Sequence, residues 1–274
     1  MKKILSICLS LSLVSAFALK PSKEYAFYPE DLGLNVKEWH VTTDDGFDIL
    51  AWRIAPAKGM SSQTVIICDD GDGNMADNFD IAGLFLGANY NVVMFDYRGY
   101  GKSQDARVNP NMYIMPNFAK DLDAVITETK KNDAKQVVTV YGIGMGGGLA
   151  IGVSCNNIKV RRVIADAPYP DLETIKNRLK EIKDKDVIIP PGAEKTLYEP
   201  TFALKDKGAH IEAVMLIVGA NDKVVTPADM QALAAIRKKT SDVYVVPGVE
   251  NDKNYTSNKN EYFNKIKAFL TKVY

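Results

Sequence analysis

The chain of 274 residues is sparing with the side chains that most often carry metal, redox or charge-driven chemistry. It has three cysteines and two histidines, and its 34 basic residues are balanced by 34 acidic ones. So few cysteines exclude a miniature stapled by disulfides. With His40 and His210 as the only histidines, no Cys/His spacing suited to a metal site exists, and neither a metal nor a cofactor is expected. A formal charge of zero leaves no net positive field to collect phosphates, which excludes a nucleic-acid binder that works by charge. Repeats and low-complexity tracts are also missing. What remains is 46% hydrophobic and 25% charged, the composition of a globular protein long enough to bury its core unaided.

The amino terminus stands apart. Lys2 and Lys3 precede an apolar run from Ile4 to Val14, and Ala16-Phe17-Ala18 is a small-x-small cleavage signal, so residues 1–18 read as a secretory signal peptide. The run is shorter than the ~20 residues a bilayer span needs. Cys8 lies too early for lipoprotein cleavage. No later stretch is long and apolar enough to span. The product is expected to be exported, periplasmic or secreted, with no membrane span after cleavage. Losing Lys2 and Lys3 leaves 32 basic against 34 acidic residues, a slight negative excess. Cys68 ends a Val/Ile run and Cys155 falls on a helical pattern, so both are expected to be buried free thiols.

Strands and helices alternate along the rest. Trp39–Thr43 and Phe47–Ile54 flank Asp44-Asp45-Gly46, a hairpin turn. Apolar runs follow at Val65–Cys68, Val92–Phe95, Val137–Tyr141, Val160–Ala165, Val214–Val218 and Val243–Val246. Such runs suit strands buried on both faces of a parallel sheet. Between them lie helical patterns over about 78–88, 117–131, 145–155, 227–239 and 258–272. The order predicts an α/β fold: a doubly wound, mostly parallel sheet led by a β-hairpin. Residues 19–274 are expected to form one domain. A long excursion over about 169–212 is expected to add a small cap, with a charged helix over Asp171–Lys185 whose Lys176, Arg178, Lys180, Lys183 and Lys185 read as a solvated face.

At the turn after Tyr141 the sequence runs Gly142-Ile143-Gly144-Met145-Gly146-Gly147-Gly148. It resembles the nucleophile elbow of the α/β-hydrolase family, Gly-x-Ser-x-Gly, with Gly144 in the serine's place. Three further stretches carry the same resemblance in the same order. Val65–Met75 with Asn89–Ser103, including Asp96-Tyr97-Arg98-Gly99-Tyr100-Gly101, is similar to the third and fourth strands and their loops. Leu216–Pro227 is similar to the acid-bearing loop, which puts Asp222 at the triad acid. Val245–Asn251 is similar to the histidine-bearing loop, which puts Asn251 where the base belongs. The likeness is greatest to serine-aminopeptidase and monoglyceride-lipase-like members and runs from about Leu32 to the end.

That resemblance implies an α/β-hydrolase fold, while the chemistry departs from it. Gly144 has no side chain to attack with, and Asn251 does not shuttle a proton near neutral pH. The oxyanion-loop equivalents are Asp70, Gly71, Asp72 and Met145. Asp69-Asp70 stands where the family begins His-Gly, and carboxylates there oppose an oxyanion. The aspartate loop is not a calcium loop, because Met75 and Ile81 sit where its glycine and bidentate glutamate belong. Asp222 reads as a turn cap, and Asp96 and Arg98 as scaffold. The expected function is that of a non-catalytic family member keeping its cleft for a small ligand or a protein partner. The competing reading is an active esterase or peptidase with a displaced nucleophile: Ser103, Ser154 or Cys155.

Overall fold

In the computed structural model, which describes residues 19–192, 194–250 and 254–274, the apolar runs become eight strands of one sheet. They are β1 (Val36–Thr42), β2 (Asp48–Ile54), β3 (Gln63–Cys68), β4 (Asn91–Phe95), β5 (Val137–Ile143), β6 (Val160–Asp166), β7 (Ala213–Gly219) and β8 (Ser241–Val246). Their spatial order is β8-β7-β6-β5-β3-β4-β2-β1. The hairpin β1–β2 and the β2–β4 pair are antiparallel, and every other pairing is parallel. The residues expected to form the signal peptide lie outside the described residues.

Alternation along each strand explains the continuous apolar runs. Ile66 and Cys68, Val93 and Phe95, and Val163 and Ala165 face one core. Val65 and Ile67, Val92 and Met94, and Ile164 face the other. Side chains point to opposite faces with a period of two, so a strand covered on both sides must be apolar at every position. The first core is closed by α2 (Met115–Asn132), α3 (Gly144–Asn156), α5 (Pro200–Asp206) and α6 (Pro227–Ile236), the second by α1 (Phe79–Gly87) and α8 (Lys259–Thr271), which follows the single turn α7 (Asn254–Ser257). In α2 the buried residues Phe118, Leu122, Val125, Ile126 and Thr129 form one stripe at helical spacing. By contrast α3 is buried almost all round, as the helix leaving the central strand must be. Cys68 and Cys155 are both free and buried.

Arg98, in the loop after β4, fastens the hairpin to the rest. Its guanidinium donates to both Asp45 oxygens at 2.8 and 2.9 Å and to Asp121 of α2 at 2.8 Å, and lies over the Phe47 ring. Asp45 is held well below the usual carboxylate range by Arg98, while burial pushes Asp121 up to about 6.

The excursion after β6 divides into two parts. The helix α4 (Leu172–Lys183) is capped by Asp171, whose carboxylate accepts the Thr174 N–H at 2.8 Å, and it buries Leu172, Ile175 and Leu179. Most of its lysines are solvated, but Arg178 is not. Arg178 reaches the Val224 carbonyl at 2.9 Å and pairs with Asp229 at the start of α6. Further on, Leu197–Tyr198 and α5 pack against α3, so close that a Cβ on Gly152 would lie 2.5 Å from the Tyr198 Cα.

Arg178→Ala is expected to cost about 1.5–3 kcal/mol of local stability. Hydrogen exchange should speed up in α4 while the β5 and β7 amides stay protected; uniform deprotection would disprove a local tie. Burial opposes ionisation of Asp229, yet bonds from Arg178 and Thr226 outweigh it and hold the carboxyl below its ordinary value. The tie therefore contributes above about pH 4 and is lost as pH falls through that lowered value.

Candidate active site

The turn from β5 into α3 has the geometry of an elbow. Gly144 sits at φ +52°, in the left-handed region, and begins the helix. A Cβ on Gly142 would lie 2.2 Å from the Gly146 carbonyl oxygen. One on Gly146 would lie 2.3 Å from the Asp69 carbonyl and 2.5 Å from that of Cys68. No side chain fits at either flank. At Gly144 itself a Cβ would meet only the Asp70 Cβ, at an ordinary 3.4 Å. The central glycine is thus set by backbone angle, and its neighbours by crowding.

Asp70 belongs to the loop after β3, which forms the second wall. Two carboxylates there turn back onto their own backbone. Asp69 accepts the Gly71 N–H at 2.7 Å, and Asp70 accepts the Asp72 N–H at 2.9 Å. Asp69 also accepts from Asn78 at 2.8 Å and is buried. Its pKa stands well above the carboxylate range because of burial first and the neighbouring Asp70 second. Asp72 points the other way, to Lys20 at 3.5 Å. The N–H groups of Gly71 and Asp72, which a family oxyanion loop would offer to substrate, are therefore held by carboxylates of the loop itself. Met145 lies in the first turn of α3, where a helix leaves its N–H groups without intrahelical partners.

Asp222 is buried, and one of its oxygens accepts the N–H groups of Val224 at 2.8 Å and Val225 at 2.9 Å. This is the turn-capping role expected of it. Asn251 lies outside the described residues. His40 sits on the hairpin, bonded to Asp48 at 2.7 Å. His210 contacts the Ser154 backbone carbonyl at 3.0 Å, at the end of α3 remote from the elbow.

The displaced-nucleophile candidates are sequestered. Ser103 donates to the Asp96 carbonyl at 2.7 Å and accepts the Leu50 N–H at 2.9 Å. The Ser154 hydroxyl is buried with no hydrogen-bond partner among the described residues. Burial pushes the Cys155 thiol up to about 12, away from thiolate chemistry. Asp96 is scaffold, accepting the Met75 N–H at 2.9 Å and the Tyr25 hydroxyl.

One participant escaped the sequence reading. Lys20–Pro21 runs parallel to Asp72–Gly73, pinned by Lys20 N–H to the Gly71 carbonyl and Ser22 N–H to the Gly73 carbonyl, each 2.8 Å. Asn74 donates to the Glu24 carbonyl at 2.8 Å, and Gly101 to that of Ser22 at 2.9 Å. A two-residue strand containing proline leaves no periodic signal to read.

Known proteins resemble this arrangement. A family model described as serine aminopeptidase, S33 matches residues 61–185, from β3 through α4. The uncharacterized protein YfhR of Escherichia coli strain K12 is 24% identical over 266 residues, 91% of this chain and 87% of that one. YqkD of Bacillus subtilis, also uncharacterized, is 24% identical over 245 residues, covering 82% and 76%. Among solved structures, an esterase of Pyrococcus furiosus superposes with a TM-score of 0.74 at 20% identity, covering 93% of this chain and 99% of that one. A lidless α/β serine hydrolase of Xanthomonas campestris gives 0.61 at 13% identity, covering 86% and 94%. With its strand order and glycine elbow, the chain has the α/β-hydrolase fold.

Gly144→Ser is expected to fold with a loss of about 1 kcal/mol, the cost of a side chain at positive φ. Gly146→Ala should cost about 3 kcal/mol or more, because the added methyl meets backbone. Urea melts of the two variants check the contrast, and similar midpoints would refute the crowding argument.

Proposed function

We propose that this chain is an exported, non-catalytic α/β-hydrolase relative that uses the scaffold around its cleft to bind a small ligand or a protein partner. The observation that carries the reading is the pairing of Asp69 with the Gly71 N–H and of Asp70 with the Asp72 N–H, beside an elbow whose central residue is Gly144. Acyl transfer needs a nucleophile, a base, and donors aimed at the developing oxyanion. Here the nucleophile's position bears no side chain, and the loop donors already bond to the loop's own carboxyl oxygens. Asn251 in the histidine's place supports the same conclusion from sequence. An active hydrolase would have to draw its nucleophile from Ser103, Ser154 or Cys155, and the burial of all three, together with the bonding of Ser103, opposes that.

A broad serine-hydrolase probe and a panel of short-chain esters test the reading. No labelling and no turnover are expected. Activity abolished by one Ser or Cys substitution would overturn it.

Rebuilding the site tests its electrostatics. Gly144→Ser with Asn251→His supplies nucleophile and base, yet little ester hydrolysis is expected, because the Gly71 and Asp72 N–H groups stay occupied. Adding Asp69→Asn and Asp70→Asn removes charge but leaves carbonyl oxygens able to hold those same donors. Adding Asp69→His and Asp70→Gly instead frees them, and should raise turnover over the double variant by roughly 100- to 1000-fold, the usual worth of one oxyanion donor. Steady-state kinetics on a short-chain ester decides, and brisk turnover by the double variant alone would show the loop carboxylates to be harmless.

A further inference from the structure

The sheet ends in two edges that meet solvent differently. The outer strand β1 carries Lys37, Glu38 and His40, and charge along an edge strand guards it against pairing with another chain. At the opposite edge β8 reads Ser241-Asp242-Val243-Tyr244-Val245-Val246, and its one charged residue, Asp242, is already paired with Lys272 at 2.7 Å. Val243, Tyr244 and Val245 are each only partly buried.

The β8 backbone is open along its outer side. The Thr240 carbonyl accepts the Val214 N–H of β7 at 2.8 Å, and the Val246 carbonyl accepts the Ala220 N–H just beyond β7 at 2.9 Å. Alternate residues of a strand bond to the same neighbour, so 240, 242, 244 and 246 turn toward β7. Ser241, Val243 and Val245 therefore direct both their N–H and their C=O groups outward.

We propose that this edge pairs with the β8 edge of a second copy of the chain, antiparallel about a two-fold axis at Val243, to form one continuous sheet through two molecules. Val243 then meets Val243 of the second copy and Ser241 meets its Val245, each exchanging N–H and C=O across the axis. Val243 and Val245, which pack against the first core, continue that apolar face across the axis.

The charges on the other face say why the occupant is a second copy. Asp242 and Tyr244 share the side covered by α8. Lys272 stands at Asp242, whereas the Lys265 ammonium lies over the Tyr244 ring, 5.5 Å from its centroid. Glu261 is there too, since the Tyr244 pKa is raised by burial first and by Glu261 next. An antiparallel pair centred on Val243 sets Asp242 opposite Tyr244 of the second copy. Lys265 of each molecule thereby approaches Asp242 of the other, and Glu261 approaches Lys272. A two-fold interface must be complementary to itself, and this row of charges is.

Sedimentation velocity of the purified protein, at up to about 100 μM, is expected to show a species of two chains. Lys265→Glu places a carboxylate against Asp242 across the axis, and Asp242→Lys places an ammonium against Lys265. Each variant alone should weaken the dimer at least about tenfold, because like charges then meet on both sides of the axis. An equimolar mixture of the two should recover it, since every Lys265–Asp242 contact in the mixed pair again joins opposite charges. Recovery also shows that both variants remain folded. Wild-type protein that stays a single chain would overturn the proposal. So would a dimer that persists in both variants, or a mixture that stays as dissociated as its components.

Discussion

The rest of the site depends on one close approach, that of the α3 amino terminus to the end of β3. With the Gly146 Cα pressed against the Asp69 and Cys68 carbonyls, no side chain larger than hydrogen is admitted. That contact fixes the angle at which α3 leaves the sheet, and so where Gly144 and Met145 lie. It also fixes the loop after β3, because the carbonyls that crowd Gly146 belong to the last residue of β3 and the first of the loop. Elbow and loop are two sides of one backbone contact and cannot move independently. The family fold is therefore preserved here whatever residue stands at the elbow's centre.

Because the loop is held in place, its side chains must satisfy a geometry they did not choose. A buried polar group without a partner costs more than an ordinary hydrogen bond returns. Asp69 meets this by accepting from Gly71 and Asn78 while its pKa rises, and Asp70 by accepting from Asp72. These bonds stabilise the loop and withdraw its donors from any substrate. The same bonds thus explain why acidic residues are tolerated beside the elbow and why they support a non-catalytic reading.

How much of this was legible follows from the kind of signal each feature leaves. The strands could be read because burial on both faces demands continuous apolar runs: six fall on the expected runs and extend them by a residue or more, while in the expected hairpin β1 starts three residues early and ends one early and β2 starts one residue late. The elbow could be read because crowding and positive φ both select glycine. Asp222 as a turn cap followed from its place before Val224-Val225-Thr226. Arg178 could not be singled out among the lysines of α4, since its partners Val224 and Asp229 are distant in sequence. The sequence shows Asp69 and Asp70 as acidic residues beside the elbow, but their bonds to Gly71 and Asp72 depend on loop torsions that composition does not encode.

The amino-terminal strand is the clearest case of structure set by need rather than propensity. The loop after β3 turns the Gly71 and Gly73 carbonyls away from the main sheet, where β3 has ended. Tyr100 supplies one donor to Gly71 at 3.0 Å, but the run of outward carbonyls still presents the open edge of a strand. Unpaired edges invite pairing by whatever extended segment lies near. Lys20 and Ser22 donate to that edge, and Pro21, which has no N–H, falls between them where no donor is required. Leu19 then turns inward onto Met145, so the segment that satisfies the loop's backbone also shields the elbow helix.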